Sequence, residues 1–466
     1  MTAPDDDRTP SQPTPAPEPR RSGTPHQDAE PRTYTGPIPT TMTGGIPVLE
    51  DLADRDLAHL PSEAEYARTR SKVTVLVIVV LTTLSAIGPL ATDMYIPAFP
   101  EVTSDLGTTA ALLQLTITAF FVGTAGGQIV AGPLSDRLGR RGPLLVGIVL
   151  CLVGSIVCAL APNIQVLLIF RVLQGIGGGF GMVLGRAVLI DLTDGPELFR
   201  TMNIMQGVGG VAPIVAPLLG GLILLVGQWR EVFLVIAAMS LISLIGVLLL
   251  IPESLPRSRR HSGGFRLFLT STGDLLRRPQ FTSYMMVNAF SAFSLMAYVA
   301  ASSFVMQEML GFSSQQYSVL FAINSVGMMA MSLTSARLSG RVAPRTLVKV
   351  GLSVTSVASL SLLIGALLLG TPAWIVIPGF FLMVAPQGLI FGNAGALASR
   401  EALDRAGTGS ALLGLGFSFS ASIASPLVGV AGTESAVPMG VVMVVGVAAS
   451  VTCLVIAGRT RHRATA

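Results

Sequence analysis

Twelve runs of about 20 apolar residues are strung along this chain, and a run of that length leaves the backbone few choices. A helix rising about 1.5 Å per residue closes its own hydrogen bonds while it crosses roughly 30 Å of hydrocarbon, which irregular backbone does not do. The runs lie near 73–97, 109–131, 143–161, 165–188, 205–227, 231–252, 283–306, 316–337, 347–370, 373–397, 407–430 and 437–458. They predict an all-α integral membrane protein with twelve transmembrane helices. The composition agrees: 51% of the 466 residues are hydrophobic and 12% charged, about half the charged share of an ordinary soluble domain.

The formal charge of +4 is distributed as a bilayer requires, and nothing in it calls for nucleic acid. The loops after odd-numbered runs hold Arg230 as their only basic residue, beside Glu101, Asp105, Glu231, Glu308 and Glu434. Arginine collects instead in the loops after even-numbered runs and in the two tails. Basic loops stay on the cytoplasmic side, so both termini are expected there. Residues 1–71 hold 12 of the 30 prolines with scattered charge, a composition that buries too little surface to offset ordering entropy. This tail is expected to be disordered; within it "VLEDLADRDLAHL" (48–60) reads either as a short amphipathic helix on the membrane or as a solvated segment.

The chain also divides in two. The polar stretch 253–280 carries Arg257, Arg259, Arg260, Arg266, Arg277 and Arg278 and separates a six-helix unit at 72–252 from another at 281–458, with a short tail at 459–466. After the second run the sequence reads "PLSDRLGRRG", and after the eighth "RLSGRVAPRT": Leu134, Ser135, Arg137 and Arg141 reappear 204 residues later as Leu338, Ser339, Arg341 and Arg345. An internal duplication of six-helix units predicts two pseudo-symmetric bundles with a site between them.

One residue breaks the apolar pattern. Asp93, in "LATDMYIPAFP" (90–100), is the acidic residue that falls well inside a run. A carboxylate there costs about 2.5–3.5 kcal/mol on insertion scales, so it persists where it meets a partner, a cavity or a proton. Burial disfavours the charged form of such a group, which lets it exchange a proton as water access changes. His26, His59, His261 and His462 all lie outside the runs, leaving Asp93 as the proton carrier. Arg171 is the expected electrostatic partner: it sits roughly 12 Å from the start of its helix at ~1.5 Å per residue, a depth comparable with that of Asp93. Either Arg171 holds Asp93 ionised until a proton or substrate competes, or the two form a fixed pair that sets helix packing. Arg186 is expected to snorkel or to pair with Asp191.

In "GPLSDRLGRRG" (132–142), Gly132 and Gly139 flank a cluster of Asp136, Arg137, Arg140 and Arg141. Cations at a helix C-terminus are favourable, and such a cluster either latches two bundles in one arrangement or only fixes topology. In "GVAPIVAPLLGG" (210–221), Pro213, Pro217, Gly220 and Gly221 kink and thin a helix so that another approaches closely. Candidate cavity residues from both halves are Tyr95, Gln114, Phe121, Gln174, Asn288, Tyr298, Asn324 and Gln387, each of which alternatively serves in interhelical packing.

These segments resemble the signatures of the major facilitator superfamily. "GPLSDRLGRRG" is similar to its signature loop, "RVLQGIGGG" (171–179) to its fourth-helix signature, and "GVAPIVAPLLGG" to its antiporter motif, with Ala216 where the family usually has glycine. "WREVF" (229–233) and "PESL" (252–255) bracket the sixth run as in that family. "GPLATDMYIPAFPEV" (88–102) and "GRAVLIDL" (185–192) resemble the Bcr/CflA-type multidrug efflux proteins. The resemblance implies a major facilitator fold, a latch role for the charged loop, and proton:drug antiport across a bacterial cytoplasmic membrane. It implies no enzyme activity. The alternatives are a proton-coupled importer of a sugar or metabolite, and a membrane receptor or structural subunit. Cys151, Cys158 and Cys453 fall inside runs without metal-ligand spacing, and no "GxxxxGK[ST]" loop occurs. No metal or cofactor is therefore expected; the expected partners are protons, a small-molecule substrate and the lipid bilayer, with the monomer as the working unit.

Overall fold

A computed structural model describes residues 75–193, 195–260, 264–429 and 435–465. The tail at 1–71, with its amphipathic stretch at 48–60, lies outside them. Among the described residues, twelve helices are long and apolar enough to cross a membrane. Numbered in chain order, the spans are Val75–Asp105, Ala110–Leu138, Arg141–Ala159, Ile164–Leu192, Arg200–Val226 and Trp229–Leu250 in the first half. Those of the second half are Pro279–Met309, Ser314–Leu338, Pro344–Leu368, Ala373–Arg400, Gly407–Val428 and Val437–Gly458. Between the halves, in the polar linker, runs a further helix, Gly264–Leu276. The last helix continues past the membrane to Thr465, so the short tail is helical.

The two halves pack alike. Span 1 contacts spans 4, 5 and 6, span 4 also contacts spans 2 and 3, and span 3 contacts span 6; adding six to each number reproduces the neighbours of the second half. Between the bundles the principal contacts are span 2 with span 11 and span 5 with span 8, which the same shift exchanges. The duplication read from one ten-residue echo is therefore a duplication of the packing. It extends to single atoms: Arg141 Nη2 donates to the Leu248 carbonyl at 2.7 Å, and its echo Arg345 Nη2 donates to the Leu454 carbonyl at 3.1 Å. Each arginine ties the third helix of its half to the sixth.

Two differences from the sequence reading bear on the site. Span 2 stays helical to Leu138, so most of "GPLSDRLGRRG" is the last two turns of a helix, broken at Gly139, whose φ of 99° suits a residue without Cβ. Hydropathy ends a span where charge begins, whereas a helix continues while its backbone bonds are made. Span 1 is interrupted at Asp93, as described below. Close packing of spans 2 and 4 depends on glycine: a methyl on Gly123 would meet the Val172 carbonyl, and one on Gly175 the Phe120 carbonyl. Small residues let backbones touch in this way where lipid supplies no hydrophobic drive for helix association.

Candidate functional site

The first helix runs from Val75 to Asp93 and then breaks into a 3-10 turn at Ile96–Ala98 and a short helix at Phe99–Asp105. Proline explains the place of the break. Pro97 has no N–H for the Asp93 carbonyl, and the ring disfavours continued α backbone before it. The Tyr95 N–H turns to the Thr92 carbonyl at 3.3 Å, leaving the Ala91 carbonyl without its usual partner four residues on. Arg171 supplies the missing donor: its Nη1 lies 3.0 Å from that oxygen.

Arg171 is fully buried and spends its other contacts locally. It donates to Gln174 Oε1 at 2.7 Å and to the Thr116 carbonyl at 3.4 Å, and its guanidinium lies 4.6 Å from the Phe120 ring centre and 5.3 Å from that of Tyr95. Gln174 in turn donates to Ser155 Oγ at 2.7 Å. The expected Asp93–Arg171 pair is thus not formed. Comparable depth is necessary for contact but says nothing of azimuth, and the helix break presents backbone, not carboxylate, to Arg171. Asp93 Oδ1 instead accepts from Thr92 Oγ1 at 3.0 Å. Nor does Arg186 reach Asp191, which accepts from Arg140 Nε at 3.2 Å and from Ser254 Oγ at 3.0 Å.

Asp93 lines a cavity of about 340 Å³ between the bundles. Of the candidate residues, Phe121 and Tyr298 line it as well. Tyr298 is held by Asn324, whose Nδ2 donates to the phenol oxygen at 3.0 Å, and by the rings of Phe321 and Phe380. Asn324 itself stands behind the wall. The other candidates do not line the cavity. Tyr95 is buried against Phe99 and Phe233; Gln174 belongs to the Arg171 network; Asn288 donates to the Phe391 carbonyl at 3.2 Å; Gln387 is buried along its own helix, with its amide 3.4 Å from the Met383 carbonyl. Tyr95, Gln174 and Asn288 thus serve interhelical packing, the alternative open to every one of these residues, while Gln387 bonds within its own span. Sequence reasoning missed Phe120, Gln128, Met182, Phe391 and Phe417, which line the wall. Helical spacing was the available signal: Thr124 and Gln128 follow Phe121 on one stripe.

Gln114 has a different task. Its Nε2 donates to the Ala300 carbonyl at 3.1 Å, and its own carbonyl accepts from Ser425 Oγ at 2.7 Å. Thr118 Oγ1 to the Ser422 carbonyl at 3.0 Å and Gln307 Nε2 to the Pro97 carbonyl at 3.0 Å complete the set. Among the described residues, every side-chain hydrogen bond between spans of opposite bundles lies on this side, toward the Glu101 loop. Gly221 belongs to the same seam, since a methyl on it would lie 2.5 Å from Ser318 Oγ of span 8, whereas a methyl on Gly220 would strike the Met94 carbonyl of span 1 within its own bundle. Toward the opposite end, where span 1 begins and span 12 ends, Gly207, Gly209 and Gly210 of span 5 face open space. Pro213, inside the same helix as Pro217, lines the cavity at the change. Among the described residues, side-chain hydrogen bonds thus join the spans of the two bundles on one side of the cavity and not on the other.

The charged cluster acts inside one bundle. Arg140 Nη1 donates to Asp136 Oδ1 and to Ser135 Oγ, each at 2.6 Å. The backbone N–H groups of Arg140 and Arg141 point at Glu253, 2.7 and 3.4 Å from its two oxygens. Glu253 comes from "PESL" and satisfies the otherwise unpaired first amides of span 3, where the helix dipole favours an anion. Spans 2, 3, 4 and 6 are tied together, all of the first half, while Arg137 is exposed and Gly132 meets no neighbour. Among the described residues the expected latch between bundles is not formed in this structure, because Asp136 and Asp191 take the Arg140 guanidinium and the Leu248 carbonyl takes that of Arg141.

A twelve-span duplicated bundle with a central cavity is now joined by sequence: the Major Facilitator Superfamily profile matches residues 81–426. The chain belongs to this superfamily. It is 36% identical over 382 residues to an uncharacterized MFS-type transporter, YdgK, of Bacillus subtilis, covering 82% of this chain and 94% of that one. A bicyclomycin resistance protein homolog of Haemophilus influenzae is 30% identical, over 74% of this chain and 86% of its own length. The multidrug resistance protein MdtL of Klebsiella pneumoniae is 29% identical over 70% of this chain and 81% of its own. Among solved structures, the D-xylose-proton symporter superposes with a TM-score of 0.63 at 16% identity, over 81% of this chain and 97% of that one. That likeness is one of fold. The chain is a multi-pass membrane transporter and not an enzyme.

Proposed function

We propose that this transporter exports amphipathic drug-like compounds in exchange for protons. The observation that supports it most is the make-up of the cavity: among its described lining residues Asp93 is the single carboxylate and no basic side chain occurs, while the rest of the wall is chiefly aromatic, sulfur-bearing or aliphatic, with the Gln128 amide and the hydroxyls of Thr92, Thr124, Ser325 and Ser418. Aromatic and methionine surfaces adapt to varied apolar ligands, and a lone carboxylate without an ion-pair partner has a proton or a substrate as its charge compensation. The resistance proteins similar to the chain add weight to export.

In this reading both termini are cytoplasmic, following the basic loops, so the side of the cavity without bonds between the bundles faces the cytoplasm. Asp93 takes up an external proton when the bundles face outward, and the neutral carboxyl permits reorientation. A cytoplasmic substrate then displaces the proton inward and leaves as the bundles rock back. Arg171 acts as a positioning residue that holds the helix break, and through it Asp93. The electrical gradient supplies roughly 2.3 kcal/mol per charge per 100 mV.

Inverted vesicles with an acidic lumen test this. Addition of ethidium should raise the lumenal pH as dye accumulates, and Asp93→Asn should abolish the proton signal. Dye accumulation at the wild-type rate in Asp93→Asn would remove the proton role; lumenal acidification by dye would reverse the direction.

A further inference from the structure

The pseudo-symmetry that relates Arg141 to Arg345 fails at one place, and the failure is one of charge. In the first half the start of span 3 is internally neutralised: Asp136 meets Arg140, and Glu253, five residues past the carbonyl that receives Arg141, covers the first amides. At the corresponding positions the second half has Gly340 for Asp136, Pro344 for Arg140 and Arg459 for Glu253, and one turn into the helix Lys349 replaces Leu145. Two carboxylates and one cation are gone and two cations are gained, so this part of the sequence is more positive by three charges. Arg345 and Lys349 stand one turn apart on span 9, a like-charged pair that repels on a helix. Among the described residues neither makes a salt bridge, and Arg345 Nε has no hydrogen-bond partner.

These two side chains stand in a groove of about 760 Å³ between spans 9 and 12. Beyond them the walls are formed by Leu352, Ser353, Leu454 and Val455. Span 9 packs on spans 10 and 12, so its remaining side faces the bilayer. Lys349 is exposed on it, and Gly458 leaves the guanidinium of Arg345 room to lie against span 12.

We infer that this groove binds a phospholipid with an anionic headgroup. The phosphate lies between Arg345 and Lys349, and one acyl chain lies along the leucine and valine wall. Two features argue for lipid over a soluble anion. The groove opens sideways into hydrocarbon, and its apolar length gives a free phosphate ester nothing to gain. Basic clusters between spans near the membrane surface attract anionic headgroups by about 1 kcal/mol per cation.

The full-length protein, delipidated in mild detergent, is titrated with phosphatidylglycerol, phosphatidylcholine and glycerol phosphate, and bound molecules are counted by native mass spectrometry. One phosphatidylglycerol should be retained in preference to phosphatidylcholine. Lys349→Leu, which installs the residue of the first half, should weaken it by roughly fivefold, and Lys349→Arg should retain it. Lys349→Gln, with an unchanged unfolding temperature, guards against misfolding as the cause. Equal retention of both lipids, or undiminished phosphatidylglycerol binding in Lys349→Leu and Lys349→Gln, overturns the assignment. Glycerol phosphate bound as tightly as the lipid would make the groove a site for free phosphate esters and would equally overturn it.

Discussion

Arg171 donates to the carbonyl oxygen of Ala91 at 3.0 Å, two residues before the acid that lines the cavity. A buried guanidinium thus completes the hydrogen bonding of a helix that proline interrupts, and the acid beside the break is left to the cavity.

If Arg171 serves the backbone and not the carboxylate, its energetic coupling to Asp93 should be small. A double-mutant cycle of Arg171→Gln and Asp93→Asn, read by thermal unfolding in detergent, should give a coupling below about 0.5 kcal/mol. Arg171→Gln alone should destabilise by about 1.5–3 kcal/mol, the range for losing a charged hydrogen bond. A coupling of several kcal/mol would restore the ion pair.

Gly220 and Gly126 should part company on substitution. Gly220→Ala forces a methyl onto the Met94 carbonyl and should destabilise the packing of span 5 on span 1, whereas Gly126→Ala, inside span 2, meets open space. In a helix interior that second change should stabilise by roughly 0.4–1 kcal/mol through the unfolded chain. Unfolding temperatures of the two variants check the contrast.

Gln114 bridges the bundles from both ends of its residue, by side chain and by carbonyl. Gln114→Leu removes the bond to Ala300, worth about 1 kcal/mol, and should shift the bundles roughly fivefold toward opening at the Glu101 side. Labelling a cysteine introduced at Phe121 with a reagent added from that side should quicken accordingly.

An ion pair between the start of span 7 and the turn before span 11 should not shape the pH profile of transport. Arg278 donates to both oxygens of Asp404, at 2.7 and 2.6 Å, and these bonds hold the carboxyl below its ordinary value. A depressed carboxylate contributes stability that is present above its unfolded pKa, about 3.9, and lost only as pH falls through the lower folded value. Asp404→Asn should therefore change stability equally at pH 6 and pH 8, and leave the pH dependence of dye export as in the wild type.

The charged loop shows how far local sequence carries. Asp136, Arg140 and Arg141 were legible as a cluster because they are neighbours in the chain. Their use was not, since Glu253 arrives from 113 residues away to reach the Arg140 amide. The same holds for the cavity. Asp93 stood out because an acid in an apolar run has a cost that any reader of the sequence can count, while Gln114 and Gln174 were indistinguishable from ligands until their partners were known.

Spans, their number, their doubling and the singular acid follow from hydropathy and spacing, because the bilayer demands that each crossing segment satisfy its own backbone within about 20 residues. That demand is local, so one-dimensional information meets it. Which face each helix turns to its neighbours, that Arg171 serves a broken helix, and on which side of the cavity the bundles are joined arose from packing between segments far apart in the chain. Those contacts depend on azimuth and close approach, quantities that a residue's depth in its own helix does not contain.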